Sequence, residues 1–319
     1  MTALRDRVHD LGLTGRDFLT IDDYTPAEVG ALLDLAVELK AMQRRGEAHR
    51  LLDGKSVGMI FTKTSTRTRI SFEVGLAQLG AQPLFLSASD IQLRVGETIR
   101  DTGHVLSRYL DAITIRTFAQ ADVVDLAESA EVPVVNGLTD DQHPCQAMAD
   151  ALTIKEHFGG LQGRKLVYSG DGNNVAHSLA EVGAKTGMHV VICTPKGYRP
   201  DEAIIGRAIE AAAQTGATIE LMSDLRASVR GADVIYTDTF TSMGQEAEHD
   251  VRLAALRDYQ VNDALLALAG PQVRVMHCLP AHWGEEITEQ ALYSPQSVVF
   301  DQAENRLHAQ KAILAALVA

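Results

Sequence analysis

Cysteine is scarce in this chain, with three in 319 residues. Cys145, Cys193 and Cys278 are odd in number, far apart and without a C-x-x-C spacing. That pattern argues against a disulfide framework and against a structural zinc site, and the default for each thiol is a small buried hydrophobe. Long apolar runs are missing too, and none is of the length needed to span a bilayer. Residues 1–7 carry charges where a signal peptide needs an apolar stretch, so a cytoplasmic chain is expected. Positive charge is the minority sign: 29 Lys and Arg against 42 Asp and Glu leave a formal net charge of −13. Nucleic acid and anionic membranes are therefore poor candidates for the main partner. Low-complexity tracts and short-period repeats are absent as well.

What is present is an ordinary globular core, with 46% hydrophobic residues, on a chain long enough for two domains. Thr25, Pro26 and Glu28 form a capping box with proline at the first helical position, opening a helix through Leu32, Leu33, Leu35, Ala36 and Leu39. Short apolar runs then alternate with amphipathic segments. The runs predict strands at 56–61, 83–87, 112–116, 132–135, 165–169, 188–194, 217–221, 232–237, 273–277 and 297–300. Such alternation implies an α/β fold, with parallel sheets covered on both faces. A helix from near Pro144 to about His157 is the expected bridge between domains, and a last helix is expected over 303–319.

In open α/β sheets ligands bind beyond the carboxyl ends of the strands, and the unusual polar groups of this chain fall at such ends. Ser65, Thr66, Arg67, Thr68 and Arg69 follow the run 57–61 and precede a helical stretch at 70–80 that ends in glycine. Two arginines, Lys63 and several hydroxyls thus gather at a strand-to-helix turn. Backbone N–H groups at a helix start favour an anion, and arginine can hold phosphate bidentately. A basic solvated turn is the plain alternative, but the cluster inverts the sign of an acidic protein. Arg116 closes the run 112–115, and His143, Pro144, Cys145 and Gln146 follow the run 132–135. Alone, a strand-end arginine is as often a surface ion pair as a ligand, and a lone His-Pro is more often a capping or turn histidine. Together with 65–69 they suit an acyl phosphate, with arginines for the phosphate and His and Gln for a carbonyl oxygen that gains charge.

In the second half, 170–174 reads G-D-G-N-N after a strand, with Val175 where a dinucleotide fingerprint needs its third glycine. No acidic residue ends the next strand, so a nicotinamide-dependent dehydrogenase is disfavoured. The Asn pair can cap a helix or bind a small polar ligand. Asp238 and the loop 239–244 follow another strand, where a carboxylate can meet a cationic amine or belong to a plain surface loop. His277, Cys278, Leu279 and Pro280 close a strand. The thiol there is reactive if cations lower its pKa, and inert packing otherwise. Arg306 is expected to begin the last helix, opposing its dipole unless it meets an anion.

Taken together, these segments resemble the aspartate/ornithine carbamoyltransferase family over essentially the whole chain. The carriers are S-T-R-T-R at 65–69, Arg116, H-P-x-Q at 143–146, G-D-x-N-N at 170–174, D-x-x-x-S-M-G at 238–244, H-C-L-P at 277–280 and E-N-R at 304–306. The resemblance implies two domains, each a parallel β-sheet flanked by helices. A carbamoyl-phosphate domain would span 1–146, an ornithine domain 147–302, and a C-terminal helix at 303–319 would return to the first domain. It implies transfer of a carbamoyl group from carbamoyl phosphate to the side-chain amine of L-ornithine, giving L-citrulline and phosphate, on the biosynthetic side of arginine metabolism. Carbamoyl phosphate would meet Ser65, Thr66, Arg67, Thr68, Gln92, Arg116, His143, Gln146, Cys278, Leu279 and Arg306. Ornithine would meet Asn174, Asp238, Ser242, Met243, Cys278 and Leu279. Arg116, His143, Gln146, Cys278 and Arg306 would carry the chemistry. No metal or organic cofactor is implied, because the leaving group is already activated. The family works as trimers or multiples of trimers, and Gln92 would reach a neighbouring subunit's phosphate. Arg94 and Val95, Asp141 and Gln142, and Thr62 depart from the pattern of relatives. Other amine acceptors, and a non-catalytic binding protein that kept the site, are the remaining alternatives.

Overall fold

The computed structural model describes residues 2–87 and 96–319. The chain divides into two compact units, one of Met1–Leu152 with Asn305–Ala319 and one of Thr153–Glu304. In the first unit α1 (Thr2–His9) and α2 (Pro26–Arg44) precede β1 (Ser56–Phe61), α3 (Thr66–Leu79), β2 (Gln82–Ser87), α4 (Ile99–Leu106), β3 (Ala112–Arg116), α5 (Gln120–Ser129) and β4 (Val134–Leu138). The helix α6 (Pro144–Phe158) leads out of that unit. In the second, β5 (Lys165–Ser169), α7 (Asn174–Thr186), β6 (His189–Cys193), α8 (Glu202–Ala212), β7 (Thr218–Met222), α9 (Leu225–Ser228) and β8 (Val234–Thr237) follow one another. They are succeeded by α10 (His249–Leu256), α11 (Asp263–Ala269), β9 (Arg274–His277), α12 (Glu289–Leu292) and α13 (Val299–Val318), whose last fourteen residues or so belong to the first unit.

Both sheets are wholly parallel among the described residues, in the orders β2-β1-β3-β4 and β7-β6-β5-β8-β9. The expected α/β fold, with a final helix returning to the first unit, is what the structure shows. A parallel sheet is covered on both faces, and accordingly β3 and β4 are buried at every residue. Ile60, Ile113, Ile115 and Val134 pack with Val123 and Leu126 of α5 in one core. Val167, Ile235 and Val275 pack with Val229, Leu265 and Leu266 in the other. Each such side chain stabilises by about 1.5–3 kcal/mol. The capping box at α2 forms as the sequence implies, with Thr25 N–H donating to Glu28 Oε2 at 2.7 Å and Glu28 N–H to Thr25 Oγ1 at 3.2 Å.

Three expectations need correction. The run 297–300 is not a strand. Ser297 makes a single bridge with Val275, and Val299 already starts α13, so the apolar run is a helix entry beside the sheet edge. Arg306 consequently lies two turns inside α13 rather than at its start, and the helix-dipole argument lapses. The strand expected at 132–135 is β4, displaced to Val134–Leu138. Pro133 has no N–H for a ladder, and the pairing continues instead through Asn136 and, past the unpaired Gly137, Leu138.

The end of α13 packs on α3 at Gly75, where an added Cβ would stand 3.2 Å from Lys311 Cγ. Lys311 is fully buried, and its ammonium donates to Gln78 Oε1 at 2.8 Å and Gln43 Oε1 at 3.0 Å, with His49 Nε2 at 3.1 Å. Burial lowers its pKa to about 8. Burial first, then the charges of Lys311, Lys40, Arg44 and His49, push His308 from 6.5 down to about 3. In the unfolded chain His308 takes up its proton near the ordinary value, so between pH 6.5 and 3 the unfolded state binds more protons and stability is lost as pH falls. Thermal unfolding across that window is expected to show a flatter loss for His308→Asn than for the wild type. Identical slopes would show that His308 takes no part.

Candidate active site

The carboxyl ends of β1, β3 and β4 are aligned by register, because Phe61 pairs with Arg116 and Arg116 with Leu138. The register shifts between Ile115 and Arg116, and Gly137 is passed over. Such an irregularity re-aims a side chain at the sheet end. Gly137 suits the spot, since a Cβ there would lie 3.2 Å from the Ile115 carbonyl oxygen. Ser65 is the N-cap of α3 in extended backbone, and its Oγ accepts the Thr68 N–H at 3.2 Å. The positive end of α3, worth about half a charge, thus sits beside these strand ends.

Thr68 is buried, and two guanidinium groups converge on its hydroxyl. Arg306 Nη2 donates at 2.9 Å and Arg116 Nη1 at 3.4 Å. Arg306 Nη1 also donates to Gln146 Oε1 at 2.8 Å, and Gln146 Nε2 donates to Asp150 Oδ1 at 2.8 Å, which fixes the orientation of the amide. Lys63 is buried, pairs with Asp140 and lies 4.2 Å above the Phe118 ring. His143 is buried among these groups. Burial foremost, and then Arg306, Arg116, Arg67 and Lys63, hold its pKa well below the usual histidine value. At neutral pH it is therefore a neutral imidazole that can donate one hydrogen bond. Arg69 leaves the cluster, with Nε donating to Glu73 at 2.9 Å and its guanidinium 3.7 Å over Phe85. Of the two motif arginines, Arg67 is one of the charges that act on His143.

The second unit repeats the device. Ser169, Thr237 and His277 are consecutive partners across β5, β8 and β9, so the residues after them share one edge. Asn173 caps α7, its Oδ1 accepting from Val175 N–H at 3.0 Å and Ala176 N–H at 3.3 Å, while its Nδ2 donates to Asp238 Oδ2 at 2.8 Å. The Cys278 thiol donates to Asp238 Oδ1 at 2.8 Å. That bond sets a carboxylate against the thiol. Asp171 pairs with Arg252; burial raises its pKa most and Arg252 opposes this. Arg252 Nε also donates to the Phe240 carbonyl at 2.8 Å, anchoring the loop that carries Ser242 and Met243. In that loop Ser242 N–H donates to Gln245 Oε1 at 3.2 Å, and Met243 is exposed.

The structure therefore gathers Ser65, Thr66, Arg67, Thr68, Arg116, His143, Gln146 and Arg306 in the first unit, and Asn174, Asp238, Cys278 and Leu279 in the second. Ser242 and Met243 lie on the loop after β8 that Arg252 anchors at Phe240. Gln92, with Arg94 and Val95, lies outside the described residues. Asp238, His277 and Cys278 bring ligand-type atoms within 4.8 Å of one another. However, His277 Nδ1 accepts the Leu279 N–H at 2.8 Å and Nε2 meets Glu286 Oε1 at 3.0 Å, so a metal would have to break one of these bonds. A cavity of about 760 Å³ over residues 96–100 and α5 holds none of the gathered residues.

Sequence reasoning passed over Asn173 as the partner of Asp238, and over Glu286. The pair Glu285–Glu286 reads as solvated charge, and only the fold separates a half-buried Glu285 from a fully buried Glu286.

Fold and site define a two-unit α/β protein with a cationic cluster at the strand ends of one unit and a carboxylate cluster at those of the other. Residues 16–156 match the carbamoyl-P binding domain of aspartate/ornithine carbamoyltransferase, and residues 162–317 its Asp/Orn binding domain. The chain is 56% identical to an ornithine carbamoyltransferase of Pyrococcus abyssi, over 97% of both chains. It is 55% identical to the ornithine carbamoyltransferase, anabolic, of Pyrococcus furiosus, over 96% of this chain and 97% of that one. The solved ornithine carbamoyltransferase from Pyrococcus furiosus superposes with a TM-score of 0.93, covering 96% of this chain and 98% of that one. The chain belongs to the aspartate/ornithine carbamoyltransferase family.

The turn before α7 is a sharp point of failure. A Cβ on Gly172 would fall 2.2 Å from the Pro200 nitrogen, a backbone atom that cannot swing away. Gly172→Ala is expected to destabilise by about 1–3 kcal/mol or more, as forced overpacking does. Denaturant unfolding checks this, and a wild-type midpoint would show that the 172–200 contact yields freely.

Proposed function

We propose that the protein transfers the carbamoyl group of carbamoyl phosphate to the side-chain amine of L-ornithine, giving L-citrulline and phosphate, in arginine biosynthesis. The observation that carries this reading is the convergence of Arg116 and Arg306 on Thr68, with Arg67 and Lys63 also acting on the neutral imidazole of His143, since buried guanidinium groups are suited to an anion. Identities of 55–56% to proteins named ornithine carbamoyltransferase, one of them anabolic, support the acceptor and the direction.

In this reading Ser65, Thr66, Arg67, Thr68 and Arg116 hold the phosphate. Thr68, Arg116, His143, Gln146 and Arg306 stabilise the carbonyl oxygen as it becomes an oxyanion, and removing one such donor costs roughly a hundredfold in turnover. Because His143 is neutral, it acts as a hydrogen-bond donor and not as an imidazolium acid. Asn174, Asp238, Ser242 and Met243 recognise the amino-acid head of ornithine. Cys278 and the Leu279 carbonyl align its side-chain nitrogen, and both also touch the carbamoyl group. The neutral amine attacks the carbonyl carbon, the tetrahedral intermediate collapses with cleavage of the bond to the phosphate oxygen, and the phosphate takes a proton from the nitrogen. The leaving group is activated already, so the step calls for no metal and no organic cofactor.

The same reading assigns carbamoyl phosphate to 1–146, ornithine to 147–302, and the return to the first unit to 303–319. The protein is read as cytoplasmic; no helix among the described residues is long and apolar enough to cross a membrane. It is also read as a homotrimer or a multiple of trimers, with Gln92 lent to a neighbouring subunit's phosphate.

Steady-state kinetics test the function. Wild-type enzyme should form citrulline, and Asp238→Asn should raise the ornithine KM about tenfold or more, the scale of one charge-assisted bond, with little change for carbamoyl phosphate. A rise confined to carbamoyl phosphate would reverse the division between the units. Complementation tests the shared site. Inactive Arg67→Ala subunits mixed with inactive Gln92→Ala subunits should regain activity, because a mixed trimer can restore one site with both wild-type residues. Mixed trimers that form and stay inactive would count against Gln92 acting between subunits.

A further inference from the structure

Leu279 is the one non-glycine residue among the described residues with a positive φ, 58°, and so lies in the left-handed region. A leucine is held there only where its surroundings impose it, and such residues gather at functional sites. Here the surroundings are specific. The Leu279 N–H donates to Nδ1 of His277, two residues before it, at 2.8 Å. An imidazole that accepts at Nδ1 and is neutral carries its proton on Nε2. That nitrogen faces Glu286 Oε1 at 3.0 Å, and the same oxygen accepts the His282 N–H at 2.6 Å. The His277 main chain is held in turn, its N–H donating to Gln302 Oε1 at 2.9 Å, while Gln302 Nε2 donates to the Tyr236 hydroxyl at 3.0 Å. Both His277 and Glu286 are buried. A fully buried carboxylate against a buried imidazole is a costly way to fill space, and apolar side chains would pack there as well. Its chemical product is a fixed tautomer.

We propose that His277 and Glu286 are positioning residues for the amine acceptor. Glu286 holds His277 in the tautomer whose Nδ1 captures the Leu279 N–H, and that capture aims the Leu279 carbonyl and the neighbouring Cys278 thiol. The proposal rests on the reading that Leu279 and Cys278 align the ornithine nitrogen.

Three variants test it, with the wild-type citrulline assay run beside them. In His277→Asn, Oδ1 stands where Nδ1 stood and can still accept the Leu279 N–H; in His277→Leu the acceptor is gone. His277→Leu should lose about a hundredfold in kcat/KM for ornithine, the scale of a misplaced reacting group. His277→Asn should recover most of that loss, and Glu286→Gln should fall between the two. Inorganic phosphate, titrated calorimetrically as a probe of the cationic cluster, should bind all three as it binds the wild type. A purely structural role would lower the melting temperature of both His277 variants without separating Asn from Leu in ornithine kinetics. Equal impairment of the two, or wild-type kinetics in both, overturns the proposal while leaving the function intact. If His277→Leu does not fold, Glu286→Gln decides alone: an ornithine-specific loss supports the proposal, and unchanged kinetics overturn it. Wild-type enzyme that forms no citrulline overturns the functional reading, and the proposal with it.

Discussion

Like charges held close together in a poorly solvated place repel, and the first unit is arranged around that constraint. Lys63, Arg67, Arg116 and Arg306 all act on His143, and with burial they keep its imidazole neutral. Two guanidinium groups share one threonine hydroxyl. Such a set is stable in a fold only while other contacts hold it. The Lys63–Asp140 pair, the Gln146–Asp150 bond and the register shift beside Arg116 are those contacts. An arriving anion relieves the repulsion, so binding and stability are linked through the same side chains.

Parallel topology explains how residues far apart in sequence reach one place. A parallel sheet ends all its strands on one edge, and ligands meet an α/β sheet there. In the first unit that edge collects residues 62–68, Arg116 and His143. In the second it collects Asn173, Asp238 and Cys278, because Ser169, Thr237 and His277 are in register. The two edges differ in sign, one cationic and one with a buried carboxylate. That difference suits an anionic donor and a cationic acceptor, the two substrates of the proposed transfer.

Much of this was legible in the sequence where local chemistry is decisive. The α2 capping box, the strand-to-helix turn at Ser65 and the helix end at Gly80 are short-range devices, and each forms as its residues imply. The alternation of apolar runs with amphipathic segments gave the α/β fold for the same reason. Failures came where tertiary context rules. The run 297–300 has strand composition but meets only one bridge before α13 begins. Arg69 belongs to the phosphate signature, yet stacks on Phe85 and pairs with Glu73. Glu286 is indistinguishable from Glu285 until the fold buries one of them. The bond from Asn173 Nδ2 to Asp238 Oδ2 also escapes the sequence, because it joins a helix cap to a strand end 65 residues away.

On the proposed reading, the cationic cluster of the first unit holds carbamoyl phosphate before ornithine arrives. Isothermal titration of the empty enzyme with each substrate at low temperature, at two salt concentrations, tests it most directly. Carbamoyl phosphate should bind on its own, weaken as salt rises, and lose its affinity in Arg67→Ala, while ornithine alone gives no tight binding. Tight binding of ornithine to the empty enzyme, or a carbamoyl phosphate affinity indifferent to Arg67, would contradict it.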